Sequence, residues 1–175
     1  MTEQEWQTSN SASEMLLGLY LRDAVYFKTL VPLLHRYFMA CCWKVKHLIP
    51  QEDLRKGLLG SEKWANGEIE DKDLHKLDYY AEAVCFGFDY AKTPADFDEI
   101  QVLIDGIDEL KNMSFDYAKE LLSNAAWFAE GAIIYPTING SPYDKSMCNS
   151  QFLCASLLKE YIKPDFPFLL GSQSV

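Results

Sequence analysis

The sequence predicts an all-α fold: one domain over residues 1–175, built as six or seven helices around a long apolar helix at about 30–48, with an irregular loop or short hairpin near 131–144. Three observations predict it. Apolar residues recur at offsets of three and four through most of the chain. Residues that cap helices stand where those stripes begin. Hydrophobic residues make up 49% of the chain against 24% charged, enough apolar material for the core of one domain of this length and too much for a disordered chain.

Taken in order, Thr2 with Glu5 and Ser11 with Glu14 have the spacing at which two side chains satisfy each other's free backbone N–H groups, and mark two helix starts. From Asp23 to Ile49 the chain is apolar nearly all round. With Thr29 as N-cap, Pro32 falls in the first turn, where its missing N–H does no harm, and Pro50 stops the helix. On this central helix Lys28, His35 and Lys46 fall on one line with Arg36 and His47 beside it, a polar stripe on a buried cylinder. Leu54, Leu58 and Ala65 give the next helix one apolar face, closed by Asn66-Gly67, a pair suited to a left-handed helix end. Asp71 is expected to cap a helix carrying Leu74, Leu77, Ala81, Val84, Cys85 and Phe88 at helical spacing.

Thr93-Pro94 opens another helix, with Phe97, Ile100, Leu103, Ile104, Ile107 and Leu110 as its stripe. Ser114 opens one from Phe115 to about Glu130. Gly131 to Asp144 contains two prolines, β-branched residues and Asn139-Gly140, hence the expected loop or hairpin. Asp144 or Ser146 begins a last helix through Cys148, Phe152, Ala155 and Leu158, ended by Lys163-Pro164. The tail is expected to dock through Phe166, Phe168 and Leu169.

A net charge of −10 argues against a protein that wraps nucleic acid, since that affinity comes mainly from neutralising phosphates with Lys and Arg. Charge is uneven: residues 22–56 carry seven basic and three acidic residues, residues 62–120 six basic and sixteen acidic. Solvated helix faces explain most of this, and a docking surface for a basic partner at Asp96, Asp98, Glu99, Asp105, Asp108 and Glu109 is the sharper reading. Five cysteines, two of them adjacent, do not read as the paired framework of a small secreted domain, and the acidic N-terminus is not expected to be a signal peptide, which needs a basic start and an apolar run. The apolar stretch 29–49 carries too many basic residues to face lipid. The expectation is a cytoplasmic protein that engages neither membrane nor nucleic acid.

Four segments resemble an uncharacterised family of predicted bacterial proteins, numerous in planctomycetes. They are Thr2-Glu3-Gln4-Glu5-Trp6, the run Ala40-Cys41-Cys42 to His47-Leu48-Ile49, the helix end Glu62-Lys63-Trp64-Ala65-Asn66-Gly67, and, more weakly, Leu157 to Pro167. Trp43, where basic residues usually follow the double cysteine, and Lys46, in place of an aromatic, depart from the family pattern. The resemblance implies a bacterial helical domain and brings no activity or catalytic residue with it.

For chemistry, Cys41, Cys42 and His47 invite a metal or nucleophile reading, but adjacent helical residues diverge by about 100° and His47 is off the same-face offsets of three and four. Neither Cys-x-x-Cys nor a phosphate-binding glycine loop occurs, so no metal, no cofactor and no catalytic residue are assigned. The aromatic residues are the richer signal: ten Tyr, ten Phe and four Trp. The expected binding residues are Trp127, Tyr135 and Tyr143 beside the irregular segment, with His35 and His47 on the central helix. The leading function is a protein-interaction or regulatory module for a protein partner. The alternative is an enzyme or small-ligand binder with a pocket between the central helix and the 131–144 loop, using His35, His47, Cys41 or Cys42.

Overall fold

Thr2 accepts the Glu5 N–H at 3.2 Å while Glu5 accepts the Thr2 N–H at 2.6 Å, so the chain begins with a closed capping box and enters α1 (Glu3–Thr8). The computed structural model describes residues 1–137 and 143–164. It is all-α: ten α-helices and two short 3₁₀ turns, with no strand among the described residues. Two compact units are present, one formed by residues 1–41 with the described residues from Tyr135 onward, the other by Cys42–Ile134.

In the first unit α2 (Ala12–Arg22) is capped by Ser11 and buries Met15, Leu16 and Leu19. Asp23 then ends α2 and caps α3 (Ala24–Thr29), accepting the Tyr26 N–H at 2.8 Å. α4 (Val31–Lys44) follows after Leu30. The expected helix at 30–48 is therefore shorter. Ile49, before Pro50, is held at φ −121°, ψ 63°, outside the helical region that a following proline disfavours, and Lys46–Leu48 is a 3₁₀ turn. The single last helix is also corrected to two, α9 (Lys145–Cys148) and α10 (Ala155–Tyr161). Between them Ser150 Oγ accepts the Phe152 N–H at 3.3 Å, a local bond that competes with helix. Lys159 on α10 donates to the carbonyls of Gln7 and Ser9 at 2.8 and 2.9 Å, tying α10 to the end of α1.

The second unit contains α5 (Glu52–Ala65), α6 (Asp71–Asp89), α7 (Pro94–Asp105) and α8 (Phe115–Ile134). α5 closes as its Asn66-Gly67 pair predicts: Gly67 takes φ 74° and donates to the Trp64 carbonyl, and Glu68 donates to the Lys63 carbonyl. The cap of α6 is Glu70, paired reciprocally with Asp73, rather than Asp71. α7 ends at Gly106, so Ile107 and Leu110 lie beyond the helix, though both stay buried. α8 continues to Ile134, four residues past the expected end, and Tyr135–Thr137 is a 3₁₀ turn. Gly131 to Ile134 are thus helical rather than loop, because Ala132 and Ile133 extend the buried stripe of α8. Asn139-Gly140 and the tail beyond Pro164 lie outside the described residues.

The core of this unit is α5, α6 and α8 packed on one another, with α7 against α8. Close approach of α5 rests on small residues. A methyl group on Gly57 would overlap Ile133 Cδ1, and one on Gly60 would overlap Leu77 Cδ1. Ser61, fully buried, spends its hydroxyl on the Ile133 carbonyl at 2.9 Å.

Candidate functional site

The five expected binding residues fall into different settings. In the first unit Tyr143 stacks on Tyr20, with ring centroids 4.8 Å apart, and meets Phe27 edge-on. Tyr135 is buried edge-on against Phe38, and burial drives its hydroxyl pKa far upward. His35 is buried as well. Removal from water, with Arg36 adding a smaller push, lowers its pKa to about 4, so the ring is neutral near pH 7.

In the second unit Trp127 is half-buried on α8, edge-on to Phe86 at 5.4 Å, and donates its indole N–H to Asp89 Oδ2 at 3.1 Å. The other oxygen of Asp89 accepts the Ser123 hydroxyl at 3.1 Å. His47 is exposed, 2.8 Å from Glu109 Oε2. Cys41, Cys42, Cys85 and Cys148 are buried, and desolvation pushes the Cys148 thiol up to about 12. Among the described residues no group of three or more His, Cys, Asp and Glu gathers closely enough to hold a metal ion. No helix among them is long and apolar enough to cross a membrane.

An open groove of the second unit lies on the outer side of the α5–α6 hairpin. Only residues 66–70 join the two helices, and Gly57 faces Ala81 as Gly60 faces Leu77, so the helices run antiparallel. α5 contributes Lys56, Leu59, Gly60 and Lys63 to the groove between them, and α6 contributes Asp73, Lys76, Leu77 and Tyr80. Each quartet has the spacing i, i+3, i+4, i+7, which is one face of a helix over two turns. The groove has a volume of about 430 Å³, with Ile69 of the connection at one end.

Its floor is apolar because Gly60 has no side chain and Leu77 fills the space. Leu59 is 50% exposed and Tyr80 46%, an arrangement that leaves large apolar side chains in water on adjoining helices. Tyr79, beside the groove, meets Tyr80 edge-on at 5.7 Å.

Charge around the groove runs against that of the chain. Three lysines border it against one aspartate, and Asp73 already serves the N-terminus of α6, accepting the Glu70 N–H. Lys56 is paired with Glu52 at 2.8 Å and with Asp53 at 3.8 Å on its own helix. Lys63 and Lys76 make no ion pair among the described residues. None of these eight residues stands among the five expected from aromatic content and histidines. The signal that could have found them is the pair of stripes on consecutive helices, one with lysines at both ends. No family model, curated protein or solved structure matches this chain.

Proposed function

We propose that this chain is a protein-interaction module that docks its partner on the outer face of the α5–α6 hairpin. The observation that carries the reading is the pairing of two same-face stripes around an open groove that leaves Leu59 and Tyr80 half in water. Helix hairpins bury such faces by adding a further helix, the recurrent helix-in-groove mode of peptide recognition. Half-exposed Tyr and Leu over a preformed floor are suited to act as its anchors, since aromatic groups in desolvated pockets carry much of the energy of an interface.

The experiment is capture by the tagged chain from a lysate of its own source cell, run beside Leu59→Glu. A near-stoichiometric protein partner that the substitution releases, at unchanged melting temperature, supports the module. Recovery of the chain without any protein partner overturns it.

A further inference from the structure

We infer that the segment received by the α5–α6 groove is an acidic amphipathic helix of a partner protein, an inference that rests on the interaction reading above and specifies its ligand. Two stripes of eight residues each, seven steps at a rise of 1.5 Å, give a trough about 10 Å long, the length of two helical turns. Its apolar centre, Leu59, Leu77 and the Tyr80 ring, takes a stripe of aliphatic side chains.

Lys63 stands at the end of the α5 stripe and Lys76 within that of α6, both exposed and both without an ion pair among the described residues. A helix with carboxylates flanking its apolar stripe would supply the missing counter-charges on both rims at once. A basic helix would meet two unpaired ammonium groups instead, which selects against it. Of the carboxylates beside the groove, Glu52 and Asp53 are already paired with Lys56 and Asp73 accepts the Glu70 N–H, while charges farther off than about 8 Å are largely screened at physiological salt.

The test uses the full chain and three fluorescein-labelled peptides, each held helical by side-chain bridges. The first has leucines at i, i+3, i+4 and i+7 with glutamates elsewhere, the second replaces the glutamates by lysines, and the third replaces the leucines by serines. Saturable binding of the first peptide alone is expected. Lys63→Glu combined with Lys76→Glu should weaken it at least about ten-fold and admit the lysine peptide, while Lys111→Glu, outside the groove, leaves it unchanged.

Equal binding of the serine peptide, absence of saturable binding of the first, or insensitivity to the double substitution overturns the inference. So does concentration-dependent self-association that the double substitution abolishes, which makes a second copy the occupant. Failure here is separable from failure of the module. A captured partner that Leu59→Glu releases but Lys63→Glu with Lys76→Glu does not leaves the module standing and refutes the acidic helix.

Discussion

The hydroxyl of Ser61 on α5 donates to the main-chain carbonyl of Ile133 at 2.9 Å, and both residues are fully buried. That carbonyl belongs to the last turn of α8, where a helix runs out of its own N–H partners. A side chain of one helix thus completes the hydrogen bonding of another. Ser61→Ala removes the donor and leaves the carbonyl buried with one bond fewer, so a loss of about 1–2 kcal/mol is expected. The urea midpoint should fall with the slope unchanged, and an unaltered midpoint would show that the bond contributes nothing net.

One turn earlier on α5, Gly57 lies against the side chain of the same Ile133. Gly→Ala inside a helix ordinarily gains about 0.5–1 kcal/mol from chain entropy. Here the added methyl has to displace Ile133 Cδ1, and overpacking of a filled core costs about 1–3 kcal/mol. The net expectation for Gly57→Ala is destabilisation. Gly87→Ala is the internal control: it too is inside a helix, α6, has nothing within reach of a new methyl, and should raise the melting temperature.

These glycines also show why part of the fold was legible in the sequence and part was not. Capping pairs act locally, so Thr2/Glu5, Ser11, Thr93-Pro94, Ser114 and Asn66-Gly67 could be read directly and stand where expected. The small face of α5 could not. Gly57, Gly60 and Ser61 break an apolar stripe, yet they are the contact, because their meaning depends on Ile133 and Leu77 arriving from other helices. The same applies to 131–134, where β-branched residues suggest a loop and burial of Ala132 and Ile133 keeps them helical. The groove was missed for a related reason: the lysines of α5 and α6 read as solvated faces until antiparallel pairing brings them to the two rims of one groove.

Asp89 joins α6 to α8 by accepting from both Ser123 and the Trp127 indole. Asp89→Ala removes both bonds, whereas Trp127→Phe removes one and keeps the ring against Phe86. The alanine variant should therefore be the more destabilised, by about 1–2 kcal/mol for two bonds near the surface. Equal urea midpoints for the two variants would mean that ring packing, rather than the carboxylate, holds the junction.

Thiol reactivity should separate the cysteines by access. Cys154 alone is partly exposed, while Cys41, Cys42, Cys85 and Cys148 are buried, with burial raising the pKa values of Cys85 and Cys148. Only the thiolate reacts with an alkylating agent, so burial suppresses reaction both by blocking access and by keeping the thiol protonated. Mass spectrometry after brief iodoacetamide treatment of the folded chain should find one label, at Cys154. All five should react in urea. Labelling of Cys41 or Cys42 in the folded chain would mean that α4 opens readily there.

His35 gives the chain an acid-sensitive element. Its pKa is about 4 when folded against 6.5 for an ordinary histidine, chiefly because burial disfavours the charged ring. The unfolded chain therefore binds more protons between those values, and unfolding is favoured as pH falls. The contribution is fully present above about pH 6.5 and disappears as pH drops toward 4; the 2.5-unit difference corresponds to at most about 3 kcal/mol. Most carboxylates begin to protonate below about pH 4.5, so the window from 6.5 to 4.5 belongs mainly to this ring. Asp78, whose pKa is raised first by burial, acts in the opposite direction, losing stability as pH rises through its folded value, and stays in place when only His35 is changed. Urea unfolding of the native chain should show stability falling by up to about 1.4 kcal/mol per pH unit across that window, and His35→Gln should flatten the profile there. Parallel profiles for the two proteins would mean that the imidazole gains a proton in the folded state as easily as in the unfolded chain.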